Sequence, residues 1–249
     1  MMNYNIVNFK ERPDLYNLQE EISGKAFPTF LYYSEIATNA WDKMIEYYNE
    51  YQLLFLHEGK IICIFNCMPM NLDFSDEDLP EDAFGWGMKK GIKDFEDGKE
   101  INAALAIQII IPKEYQGKGI SHIAVIEIKK MCAKMGIKKL IIPVRPTLKG
   151  KYPISHIDKY TKWKNEKGLP FDPWLRVHVK QNGRIIKPCS NAVKIEGTIE
   201  QWETWTKMSF PESGMYVVAG ALCPVKIDRE NDLGVYIEPN VWVSYEIPD

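Results

Sequence analysis

The sequence predicts an α/β (α+β) protein, a helix-flanked central sheet carrying a β-rich C-terminal extension. Three patterns predict it. Residues 104–111 (Ala-Leu-Ala-Ile-Gln-Ile-Ile-Ile) form a β-branched, nearly all-apolar run, which suits a strand buried on both faces. Past Pro112, apolar residues fall at Ile120, Ile123, Ala124, Ile128, Met131, Cys132 and Met135, one face of a helix, and Gly136 follows where a C′ glycine belongs. Near the C-terminus, Met215–Val218, Leu222–Ile227, Val235–Glu238 and Val241–Glu246 read as strands around a polar turn, Asp228–Asp232.

In chain order, Tyr4–Phe9 reads as a first strand. Pro13 suits the first turn of a helix reaching Ile22, and Gly24 stops it. An aromatic segment follows, with Phe27, Phe30, Tyr32 and Tyr33. A second helix is expected over 35–49, carrying Ile36, Ala40, Met44, Ile45 and Tyr48. Tyr51–His57 and Lys60–Asn66 form a hairpin about Glu58-Gly59. Residues 69–102 are acidic at first, read as solvated surface, with a helix over 84–95. Leu140–Val144 is a strand interrupted by Pro143, which cannot donate to a ladder. A helix is expected over 153–167, with Ile154, Ile157 and Tyr160 inward. An alternating strand over 174–179, turned at Asn182-Gly183, pairs with 184–187. Val193–Gly197 is a strand, and Thr198-Ile199-Glu200-Gln201 is a capping box opening a helix to Lys207.

Composition sets bounds on function. The 249 residues are 45% apolar and 26% charged, the balance of a globular protein. A net charge of −3 without a basic run gives no electrostatic case for nucleic acid. The longest apolar stretch, 103–112, is too short to span a bilayer, so no membrane partner is expected. Five cysteines form no CxxC pair and read as core thiols of a reduced, cytoplasmic protein. The histidines have no metal-ligand spacing, and no metal site is expected.

The functional signal lies between the central strand and its helix, at Gln116-Gly117-Lys118-Gly119-Ile120-Ser121. Two glycines leave the backbone uncovered where a helix begins. Unpaired N–H groups and the helix dipole there favour an anion, so the loop reads as a phosphate or pyrophosphate site. A dinucleotide fingerprint lacks its third glycine, since position 122 is His122, and a Walker-type Gly-Lys-Ser/Thr is absent.

This loop, with Ile109-x-Ile111 before it and Tyr115 beside it, resembles the Gln/Arg-x-x-Gly-x-Gly/Ala signature of the GNAT superfamily of acyl-CoA-dependent N-acetyltransferases; Ser121 departs at the last position. The resemblance is specific over 104–144, looser over 3–187, and lapses beyond. It implies a mixed, mostly antiparallel sheet whose central strands splay apart, with the pantetheine arm of acetyl-CoA or another acyl-CoA in the gap. Pro143 fits a strand whose ladder has opened. The resemblance also implies acyl transfer to a small-molecule amine by direct attack in a ternary complex. Gln116, Gly117, Lys118, Gly119, Ile120 and Ser121 would hold the pyrophosphate. Ile109, Ile110 and Ile111 would meet the pantetheine and thioester, and the segment Phe27–Tyr33 would form the acceptor pocket. Tyr160 is the candidate acid and His156 the candidate base; His122 and His178 have the right intrinsic pKa but less suitable places. Glu212, Asp228, Glu230 and Glu238 are candidates to attract an amine, weighed against plain solvation.

The chain is thus expected to divide into an acyl-CoA-binding acetyltransferase domain, 1–187, and an extension, 188–249, packed on it. The extension would wall the acceptor site or form an oligomer contact, for example in a homodimer. A non-catalytic acyl-CoA sensor of the same fold is the alternative, and a nucleotide-binding oxidoreductase a third reading.

Overall fold

The computed structural model describes residues 3–248, and for 35–39 the backbone alone. Its elements in chain order are β1 (Asn5–Asn8), α1 (Tyr16–Ser23), α2 (Glu35–Tyr47), β2 (Leu53–His57), β3 (Lys60–Met70), α3 (Ala83–Glu96), β4 (Ala103–Ile110), α4 (Ile120–Lys134), β5 (Lys139–Val144), α5 (Ile157–Tyr160), α6 (Pro173–Lys180), β6 (Arg184–Gly197), α7 (Ile199–Thr206), β7 (Gly214–Tyr216), β8 (Val225–Asp228) and β9 (Leu233–Glu246). The strands form one nine-stranded sheet in the order β1-β2-β3-β4-β5-β9-β8-β7, with β6 also paired to β9. Every pairing is antiparallel except β4 with β5. The fold is therefore mixed and mostly antiparallel.

Apolar residues cover both faces. On one face Ile120, Ala124, Ile128 and Cys132 of α4 and Leu175 of α6 pack on Phe65, Ala104, Leu140, Ile142 and Val243. On the other, Met44 of α2 and Met88 of α3 pack on Met68, Met70, Leu105, Ile141 and Trp242. A third cluster joins Phe30 to Trp202, Phe210 and Tyr236. Cys63, Cys67, Cys132 and Cys189 are buried free thiols, as expected of core cysteines. Among the described residues no helix is long and apolar enough to cross a membrane.

The local signals explain most ends. Glu58 and Gly59 both adopt positive φ, the geometry of a type I′ hairpin turn. At Gly136 (φ +74°) the Ile137 N–H reaches the Cys132 carbonyl and the Gly136 N–H that of Ala133, a Schellman stop. Thr198 and Gln201 form the expected reciprocal capping box. The second helix is present, but the side chain of Ile36 lies outside the described residues.

Two of the expected elements differ. The helix over 153–167 shrinks to α5, and Ile154 is 85% exposed. Beyond α5, Asn165 Oδ1 accepts the Lys167 and Leu169 N–H groups and Gly168 takes φ +71°, closing a loop where a helix would need to continue. The alternating run at 174–179 is not a strand but α6. Asp172 caps it by accepting the Trp174 and Leu175 N–H groups, and Pro173 occupies its first turn. Asn182 (φ +65°) is its left-handed C′ residue: the Asn182 N–H reaches the Val179 carbonyl, and the Gly183 N–H that of His178. The Asn-Gly pair ends a helix instead of turning a hairpin. β6 runs unbroken through residues 187 and 188, and β9 lies in the sheet directly beside β5.

Candidate functional site

The parallel pairing of β4 with β5 is short. Ala103, Ala104 and Leu105 pair with Lys139, Leu140 and Ile141, and then the ladder stops. β4 continues to Ile110 paired with β3 alone, skipping one residue at Ile107. Pro143 lies two residues past the last shared rung, where the missing N–H breaks no β4–β5 bond. On its other side β5 stays paired with β9 along its full length, so the gap has two firm walls.

At the open end of this gap the chain makes a 3₁₀ turn, Lys113–Tyr115, and enters α4 through the loop. Gly117 (φ +74°) and Gly119 (φ +79°) are both left-handed, which costs an L-residue with a Cβ about 1–2 kcal/mol. No atom lies within 4 Å of where a Cβ would sit at either glycine, so the space before them is open. Gln116 ties the loop back, its Nε2 donating to the Ile111 carbonyl at 2.9 Å. Gly119 is the N-cap and offers no side chain to α4. Among the described residues none accepts a hydrogen bond from the N–H groups of 117–121. Lys118 lies with Nζ 5.3 Å from the Tyr115 ring centre. Residues 116–119 are exposed and Ile120 is buried under the helix. Open backbone amides at a helix N-terminus with a lysine beside them are a setting that favours an anion.

Of the candidate proton carriers, Tyr160 is buried, and its hydroxyl donates to Asp172 Oδ2 at 2.8 Å. Burial, then the Asp172 charge and this bond, push its pKa up. Asp172 also accepts the Leu148, Trp174 and Leu175 N–H groups, so one carboxylate fixes Tyr160, the chain after β5 and the start of α6. His156 caps α5 at the surface, its side chain 65% exposed and 3.3 Å from Asp158. His122 meets Gln181. His178 is buried in α6 against the Tyr245 hydroxyl, and burial pushes its pKa down to about 3, so it is a neutral core residue.

Glu238 is not solvated surface. It is buried, with Arg145 Nε 2.9 Å from Oε1 and the Tyr236 hydroxyl 2.8 Å from Oε2. Asp76, in the acidic run, is likewise buried and paired with Lys139 and Arg184. Glu212 and Glu230 are exposed and Asp228 is half-buried. The aromatic segment 27–33 turns its Phe30 inward onto Trp202 and Tyr236, while Tyr33 stacks on Trp205. Sequence reasoning missed Arg145 and Asp172. The Asp172-Pro173 pair is a readable helix start, whereas nothing local marks Arg145.

No family model matches the chain. The arginine N-acetyltransferase avaD of Aspergillus versicolor is 25% identical over 275 residues, spanning 98% of this chain and 94% of that protein. Among solved structures, the loading GNATL domain of CurA from Lyngbya majuscula superposes with a TM-score of 0.58 at 18% identity, covering 98% of each chain. The GphF GNAT-like decarboxylase, solved with isobutyryl-CoA, gives a TM-score of 0.59 at 12% identity, covering 98% of this chain and 100% of that one. The chain shares the fold of these two structures along nearly its whole length. The similarity runs past residue 187, where the resemblance read from sequence lapses.

Proposed function

We propose that the protein is an acyl-CoA-dependent N-acyltransferase that moves an acetyl group to the amine of a small, arginine-like acceptor by direct attack in a ternary complex. The coarser statement, acyl transfer to an amine, agrees with the full-length N-acetyltransferase relative. The observation that carries the reading is the β4–β5 gap, open past Leu105 and Ile141, with the unpartnered amides of 117–121 at its mouth.

The residues present fit an acyl-CoA. The amides of 117–121 would hold its diphosphate, with Lys118 adding charge, and the small Ser121 leaves room for close approach. Backbone groups of Ile109, Ile110 and Ile111 line the unpaired part of β4 and its exit. A bound thioester supplies the acyl group. The chain's own work is to align the acceptor with it, which is worth up to ~7–11 kcal/mol, and to offer amide donors where negative charge develops. Tyr160 and His156 are the proposed proton carriers, one buried on Asp172 and one exposed. Residues 1–187 would carry the cofactor, and 188–249, through Tyr236 and Glu238, would wall the acceptor side.

A second reading, an acyl-CoA sensor without catalysis, is favoured by the commitment of the Tyr160 hydroxyl to Asp172. Incubation with acetyl-CoA and a panel of amines separates the two. Thiol release that depends on the amine supports transfer. Tight CoA binding by calorimetry with no thiol released supports the sensor, and no heat with millimolar CoA removes both.

A further inference from the structure

Arg145 is the first residue after β5 and is held with unusual care. Its Nε donates to both oxygens of Glu238, at 2.9 and 3.0 Å, and Nη2 donates to the Gly220 carbonyl at 2.6 Å. Glu238 is itself oriented by the Tyr236 hydroxyl, whose oxygen accepts the Leu222 N–H at 2.8 Å. Lys149, also buried, donates to the Leu222 carbonyl at 2.6 Å. The loop bearing Gly220 and Leu222 is thus pinned on several sides. Burial opposes the Arg145 charge, but Glu238 outweighs it and keeps the guanidinium protonated.

One nitrogen of this guanidinium, Nη1, is left over, while Tyr236 also lies against the side chain. Among the described residues Nη1 donates to none, and the side chain is 24% exposed. That nitrogen can donate to a ligand without breaking the pair with Glu238. The planar fork of arginine matches a carboxylate. Its location matters as much. Arg145 extends β5 just past the gap, and its Gly220 partner lies against Pro28: a Cβ at Gly220 would come within 2.5 Å of Pro28 Cγ. The end of β5, the 220 loop and the aromatic segment between α1 and α2 therefore meet at this arginine.

We infer that Arg145 binds the carboxylate of the acceptor, so that the substrate class is an amino acid and not a simple amine. The inference rests on the acyl-transfer reading above. Glu238 and Tyr236 act as positioning residues: they aim the fork.

The test compares amino acids with the amines that lack the carboxylate, arginine against agmatine and lysine against cadaverine, with acetyl-CoA as donor and thiol release as readout. The unaltered protein should prefer each amino acid by at least about 10-fold in kcat/KM, the scale of one lost charge-assisted bond pair. In Arg145→Met that preference should fall to within about 2-fold of unity through KM, with CoA affinity unchanged. Equal use of arginine and agmatine by the unaltered protein overturns the inference while leaving acyl transfer standing. So does an Arg145→Met variant that loses both acceptors equally, the mark of a structural role. Malonyl-CoA as donor separates the other source of a carboxylate: an Arg145→Met defect confined to that donor also overturns it. No thiol release with any amine overturns the acyl-transfer reading itself, and the acceptor site with it. Should Arg145→Met fail to fold, the comparison of acceptors on the unaltered protein still decides.

Discussion

Strand β5 has two unlike neighbours. Along β9 all of its residues from Lys139 to Val144 are paired, against Glu246 back to Val241. Along β4 only Lys139, Leu140 and Ile141 are paired. The same contrast runs through the molecule. The side beyond β9 is closely packed: Trp202 lies fully buried against Phe30 and Trp205, and Tyr236, Glu238 and Arg145 share their hydrogen bonds. The side toward β4 is under-paired, with open backbone along the gap and in the loop beyond it. Backbone donors and acceptors do not stay unpaired without a partner from solvent or ligand. The gap is therefore not fraying of a weak strand. β9 holds β5 rigid, and this lets its other edge be given up.

The largest effect should come from the closely packed side. Trp202→Ala removes a fully buried indole and should cost about 3–5 kcal/mol of stability, read by chemical denaturation. CoA affinity of the folded fraction should stay within about 2-fold. An equal loss of affinity would mean that the two sides are coupled and the contrast is false.

His178 gives the next effect, buried in α6 against Tyr245 of β9. Its folded pKa is depressed to about 3 from an ordinary 6.5, because burial disfavours the charged ring. The neutral form is thus selected by folding. Stability is complete above the unfolded pKa, and falls as acid protonates the unfolded chain while the native ring stays neutral. The loss should run from about pH 6.5 down to about 3 at up to ~1.4 kcal/mol per pH unit. His178→Gln should show a shallower slope over that window. An unchanged slope would show that the ring is not the buried neutral group described here.

On the open side, Gly119→Val should weaken CoA binding by about 10-fold or more, since a β-branched residue at φ +79° must rotate the amides away from convergence. The global cost should be only about 1–2 kcal/mol, because the loop is exposed and has space in front of it. Unchanged CoA affinity in a folded Gly119→Val protein would remove the loop from the binding site.

How much of this was legible varies with how local the cause is. The Gly117/Gly119 loop, the helix after it, the Glu58-Gly59 turn and the Thr198 capping box each depend on a few adjacent residues, and each stands as expected. Pro143 marked the parted strands because proline carries its consequence with it. Trp174 to Val179 misled, because Leu175, Val177 and Val179 alternate in sequence while Asp172 and Pro173 begin a helix; the cap outweighs the period. Glu238 misled for the opposite reason. Its burial depends on Arg145, 93 positions away, and no window of sequence contains both.

The smallest effect separates two ways of holding an anion at the same loop. Lys118 projects from an exposed turn, its ammonium over the Tyr115 ring, free to be solvated and screened. An exposed charge of this kind contributes about 0–1 kcal/mol, whereas fixed amides at a helix start need no reorganisation and are hardly screened. Lys118→Ala should therefore weaken CoA binding by only about 2–5-fold at low salt, and the difference from the unaltered protein should vanish as salt rises. Calorimetry at two salt concentrations reads this directly. A loss of about 30-fold that persists in salt would place the grip in the lysine, and the open amides of 117–121 would then be a consequence of the turn and not its purpose.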